Sequence, residues 1–132
     1  MFAKKYPKDV PGVVLLKSAS PDPPAQLKTR ARLKPGTAAY LEEAGMPASN
    51  RQVKEGGPFP NAPLTVIAAT GHGPFSRKWE PTLMNLQQQL AKLSPRGNLI
   101  VAHGSGHDVQ IYRPGMVFKA VRRMAGIEKI NP

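Results

Sequence analysis

The side chains best placed for chemistry lie together in His103-Gly104-Ser105-Gly106-His107-Asp108. Before them runs Leu99-Ile100-Val101-Ala102, and after them Val109-Gln110-Ile111-Tyr112-Arg113-Pro114. The pattern reads as a short buried strand, a glycine-rich turn carrying a histidine, then a helix opened by a proline. A strand fixes where the next residues start, and glycines let the backbone turn tightly. Such a turn presents an imidazole at the rim of a parallel sheet. Proton transfer and metal ligation are the chemistries open to that imidazole. The plainer alternative is a loop histidine satisfied by hydrogen bonds.

The neighbouring residues narrow the choice. His103 and His107 stand four apart, a spacing that serves a metal on a helix, but here they flank a turn. No third convergent ligand is in view, so no metal and no cofactor is expected. Ser105 adjoins His107 without a strand-to-helix elbow, so it is not read as a nucleophile. No Gly-x-Ser-x-Gly occurs in the chain. Asp108 is next to His107 in sequence, which ordinarily turns its carboxylate away from the ring. His72, in Thr70-Gly71-His72-Gly73-Pro74, reads as a loop residue, and Trp79 as an anchor for the helix behind it.

The elements that position these groups alternate between strands and helices. Phe2 to Tyr6 reads as the tail of a helix cut short by Pro7, and Val10-Pro11-Gly12 as a turn. Val13-Val14-Leu15-Leu16 and Leu64-Thr65-Val66-Ile67-Ala68-Ala69 are unbroken apolar runs of strand length, the kind buried on both faces. Thr37 is a candidate N-cap for a short helix to Ala44, with Gly45 ending it. Glu80-Pro81 opens a helix to about Leu93. Leu83, Leu86, Leu90 and Leu93 form its apolar face, with Gln87, Gln88 and Lys92 outward. The last helix is expected from Pro114 to about Ala125, with Val117, Val121, Met124 and Ala125 inward and Gly126 closing it. Strands alternating with helices predict an α/β fold with a parallel sheet. No internal repeat is present.

Bulk properties bound the partners. At 132 residues the chain is one domain at most. It has no cysteine, so it has neither a disulfide framework nor thiolate chemistry. The net charge of +11 comes from 19 Lys+Arg against 8 Asp+Glu, which permits weak, salt-sensitive attraction to nucleic acid or anionic membrane. Only Lys28-Arg30-Arg32-Lys34 and Arg122-Arg123 cluster, and no nucleic-acid motif accompanies them, so specific nucleic-acid binding is not expected. No apolar run approaches the ~20 residues that span a bilayer. The N-terminus lacks the apolar core of a signal peptide. A cytoplasmic location is the resulting expectation.

The stretch from Gly104 to Pro114 resembles the catalytic-histidine loop of the α/β-hydrolase superfamily, whose members often read Gly-Ser-Gly-His, then Gln, then Asp-Arg-Pro before the last helix. Phe2 to Leu16 resembles the segment after the nucleophile, where a helix ends at Tyr-Pro or similar and the sixth strand follows. Pro63 to Ala69 and Leu93-Ser94-Pro95-Arg96-Gly97 extend the likeness. The resemblance implies the C-terminal half of that fold: about three parallel strands with flanking helices and a short cap or lid. Residues 1–19 would hold the end of the nucleophile helix and the sixth strand. Residues 20–62 would be the cap or lid, or else a plain linker. Residues 63–132 would hold the last two strands, their helices and the histidine loop.

The same resemblance assigns His107 as general base. It implies that the serine elbow and the oxyanion donors lie outside these residues. The acid is expected after the seventh strand, but Thr70 to Ser76 has no carboxylate, and Gly71 stands where one would be sought. Family members often end the sixth strand with Asp-Ser, where this chain has Lys17-Ser18. The nearest carboxylate there is Asp22, which would orient His107 if the loops meet. Its alternative is an Asx-type turn before Pro23. Three functions follow. The chain is part of a serine hydrolase that cleaves esters or related bonds and is inactive alone. Otherwise it is a subunit completing a split hydrolase, or a non-catalytic basic binding module. An exposed strand edge implies self-association or pairing with a complementing N-terminal half.

Overall fold

The computed structural model describes residues 2–22, 33–71 and 73–127. His72, Lys28, Arg30, Arg32 and Pro23 lie outside the described residues. Aliphatic runs form three strands: β1 (Val13–Leu16), β2 (Leu64–Ala69) and β3 (Gly97–Ala102). They pair side by side, all parallel, in the order β1-β2-β3. Val13 is in register with Leu64 and Leu16 with Ile67, while Leu64 pairs Gly97 and Ala69 pairs Ala102. The molecule is therefore α/β, with a three-stranded parallel sheet and flanking helices.

Successive strand side chains point to opposite faces, so each strand feeds two cores. Val13, Leu15, Leu64, Val66 and Leu99 pack on one side with Leu90 and Ala91 of α3 (Glu80–Ala91). Val14, Leu16, Ile67, Ala69, Ile100 and Ala102 pack on the other. There they meet Val109, from the short α4 (Val109–Tyr112), and Met116, Val117 and Ala120 of α5 (Pro114–Met124). Every residue of β2 is buried. Burying Leu64, Val66 and Ile67 contributes roughly 5–9 kcal/mol at the usual transfer values.

Several helical expectations shift. α1 (Phe2–Lys5) is a single turn that ends before Pro7. α2 runs Ala38–Glu55, straight through Gly45 and Pro47, rather than stopping at Gly45. Thr37 does cap it, its Oγ1 accepting from the Tyr40 N–H at 3.3 Å. On α5 the inward residues are Met116, Val117, Ala120 and Met124, whereas Val121 and Ala125 are exposed. The apolar stripe that meets the core is thus centred on Ala120.

On α3, Gln87 is buried, not outward, and its Nε2 donates to the Ser18 carbonyl at 2.8 Å. Leu93 falls beyond the helix and is exposed. The turn from α3 to β3 is tied by Ser94, whose Oγ donates to the Ala62 carbonyl at 2.6 Å. Gly97 is obligatory in that turn, because a Cβ there would sit 1.7 Å from the Ala91 carbonyl oxygen. Among the described residues, no helix is long and apolar enough to cross a membrane.

Candidate functional site

Because the strands are parallel, all three chain exits fall on one rim: Lys17-Ser18 after β1, Thr70-Gly71 after β2, and His103 to Asp108 after β3. Thr70 ties two of these exits together. Its N–H donates to the Ala102 carbonyl at 3.3 Å, its Oγ1 accepts from the Gly104 N–H at 3.0 Å, and its carbonyl accepts from the Gly106 N–H at 3.0 Å. The loops can close this far only because Gly71 lacks a side chain. It sits at φ +82°, and a Cβ there would lie 2.9 Å from the Cα of Gly104.

Within this loop Ser105 is buried, and its hydroxyl donates to the Ala102 carbonyl at 2.9 Å. It is a structural hydroxyl. The Arg113 guanidinium donates to the His103 carbonyl at 3.1 Å, holding the far end of the turn against the start of α5. His107 projects outward, its side chain 79% exposed. Its Nδ1 lies 3.7 Å from Asp108 Oδ1, too long for a hydrogen bond. Contrary to the sequence expectation, Asp108 faces the imidazole. It also faces Lys17, whose ammonium feels its charge. Burial pushes the Lys17 amine below its ordinary value, and the Asp108 carboxylate partly opposes that shift. The Lys17 backbone adopts φ +40°, alone among described non-glycine residues in being left-handed.

Asp22 lies against α2. It forms an exposed ion pair with Lys54 on α2, and its N–H donates to Ser20 Oγ at 3.2 Å. The Asp22 carboxylate is thus engaged by a cation, and the Asx-type turn before Pro23 lies outside the described residues. The loop after β2 does receive a carboxylate, one that sequence reading missed. Glu80, in the first turn of α3, accepts the Gly71 N–H at 2.8 Å. The signal was there in Glu80-Pro81, a carboxylate at the start of the helix that follows the loop.

The rim holds an exposed imidazole, and its glycine N–H groups are not free to form an oxyanion pocket. The N–H groups of Gly71, Gly104 and Gly106 are all satisfied internally. An oxyanion hole needs such donors left free and aimed at one point. Among the described residues no group of His, Asp and Glu is arranged to hold a metal. Two surface depressions, of about 500 and 470 Å³, lie along α5 and beside the α3–β3 turn, and neither is lined by His107. In comparisons with known proteins, no family model, no curated protein and no solved structure matches the chain.

Proposed function

We propose that this chain is the histidine-bearing part of an α/β-hydrolase-type serine hydrolase, supplying His107 as general base and doing no hydrolysis alone. One observation carries the reading. Three parallel strands lie adjacent in chain order, and the loop bearing an exposed His107 leaves the C-terminal end of the last. Ligand sites of open α/β sheets form on that rim. In this reading Asp108 is the carboxylate that steadies the imidazole, because it faces the ring while Asp22 is held by Lys54. The occupied glycine N–H groups and the buried Ser105 explain why nucleophile and oxyanion donors must come from other residues.

The test is to express the chain together with the coding sequence immediately upstream of it and to label the product with a fluorophosphonate. The expected result is a labelled serine in a Gly-x-Ser-x-Gly turn. Its labelling should fall by about 10²–10⁴ in His107→Ala, the range for losing a general base. Asp108→Asn should lower it more than Asp22→Asn. Labelling indifferent to His107, or no nucleophile elbow upstream, sinks the proposal.

A further inference from the structure

The second feature of this molecule that calls for a partner is α4–α5, on the far side of the sheet from α3. The inward side of α5 is used up by Met116, Val117 and Ala120 against the core. Its outward side mixes cations with exposed apolar groups, and α4 adds more of the latter. Phe118 is 67% exposed, Tyr112 66% and Ile111 68%, and Val121 and Ile127 are also exposed. Isolated exposed apolar residues are ordinary, but five large ones within one short helical segment and its flanks are not. Phe118 lines the shallow depression of about 500 Å³, together with Pro114, Gly115, Lys119 and Arg122.

The charges around these side chains are mostly of one sign, with the acidic Asp108 and Glu128 at the two ends of the segment. Between Val109 and Ile127 stand Arg113, Lys119, Arg122 and Arg123, with no acidic residue. Arg122 lies 6.0 Å from the Phe118 ring, so cation and apolar group share one surface. Long basic side chains can lay their stems along apolar surface and reach outward to a phosphate layer. Apolar side chains interspersed with Lys and Arg match the interface of an anionic bilayer, where hydrocarbon and negative charge lie within one side-chain length. A nucleic acid would use the cations and the two aromatic rings, by stacking, but has no use for Ile111, Val121 and Ile127.

We infer that the outward face of α4–α5 docks on anionic lipid bilayers, with Phe118, Tyr112 and Ile111 entering the headgroup–acyl boundary and Lys119, Arg122 and Arg123 meeting lipid phosphates. This is surface binding and not a membrane span, and it does not depend on the hydrolase reading.

The experiment is cosedimentation of the 132-residue chain with vesicles of phosphatidylcholine alone and of phosphatidylcholine with phosphatidylglycerol. Binding is expected to the anionic vesicles and not to the neutral ones. Phe118→Ser should weaken partition about tenfold, the order expected for withdrawing one aromatic side chain from an apolar phase. It changes a side chain already in water, so the fold is retained. Leu41→Ser, which removes an exposed apolar group elsewhere, should change nothing. Absence of binding overturns the inference. So does binding that ignores Phe118→Ser and vanishes in salt, which would be net charge alone. Tighter, Phe118-dependent binding to an oligothymidylate would assign the face to nucleic acid instead. A dimer that dissociates in Phe118→Ser, with no vesicle binding, would assign it to a second copy.

Discussion

Lys17 carries two costs at one position: a left-handed backbone at φ +40° and a partly buried amine whose pKa is lowered by desolvation. A left-handed conformation costs an L-residue about 1 kcal/mol that glycine does not incur. A lowered folded pKa means that the unfolded chain binds more protons in the window between that value and 10.5. Stability therefore rises with pH through that window, and the cost of the charged amine is fully present below it. Lys17→Gly should accordingly be more stable at pH 7 by about 1 kcal/mol, and its urea midpoint should gain less than the parent's on moving to about pH 10. A variant less stable at pH 7 would mean that attraction between Lys17 and Asp108 outweighs both costs. At this scale the sequence disclosed the types of the site residues but not their pairings. His107 and its turn were legible because glycines at fixed spacing around an imidazole leave few backbone paths. That Gln87 is buried against Ser18 depends on a contact between elements distant in sequence, while Asp108 turning toward His107 and Glu80 reaching back to Gly71 depend on the path of the loop backbone. Periodicity carries no record of those.

Among the elements, the three strands stood out because unbroken aliphatic runs bounded by Pro, Gly and Asn have few other uses. Helix ends were less legible, and α2 shows why. Gly45 and Pro47 both oppose a helix locally, yet α2 continues to Glu55. Pro47 cannot donate to the carbonyl of Glu43, but that stretch is exposed and water can meet the orphan group. No residue of α2 is buried. The helix is moored by Lys4 Nζ, which donates to the Val53 carbonyl at 2.6 Å, and by the Lys54–Asp22 pair. With so little packing, its helicity rests on local propensity, so local changes should be felt in full. A Cβ added at Gly45 meets nothing within 4 Å, and Gly45→Ala should stabilise α2 by about 0.5–1 kcal/mol. Pro47→Ala should give more, up to ~3 kcal/mol. Hydrogen exchange should show protection of α2 amides rising in both variants while those of β2, buried throughout, keep the parent's values. Unchanged α2 protection would argue that this segment is not helical in solution.

For the molecule as a whole, the decisive quantity is how much sheet three strands can bury. Parallel sheets are ordinarily covered on both faces and flanked by further strands. Here only β2 meets that condition. β1 is half-buried along its length, and β3 is exposed at Gly97 and Asn98. Among the described residues, the outer edges of β1 and β3 pair with no strand, and neither strand carries a charge or a proline to discourage pairing. A core centred on one strand, set against the ordering of so long a chain, leaves little margin. We expect an unfolding free energy at or below about 5 kcal/mol, the bottom of the ordinary range. We also expect self-association that increases with protein concentration. The net charge of +11 opposes that association, so adding salt should strengthen it. Vesicle docking through α5 should respond to salt in the opposite sense, which separates the two surfaces. Asn98→Lys places a charge on the open edge of β3 at an exposed position, and it should suppress association without lowering the urea midpoint. Sedimentation velocity at several concentrations and salt levels, read beside urea unfolding, checks all of this. A monomer at every concentration with a steep, cooperative transition well above 5 kcal/mol would mean that the open edges are sealed by other parts of the chain. The case for a complementing half would then lose its physical basis.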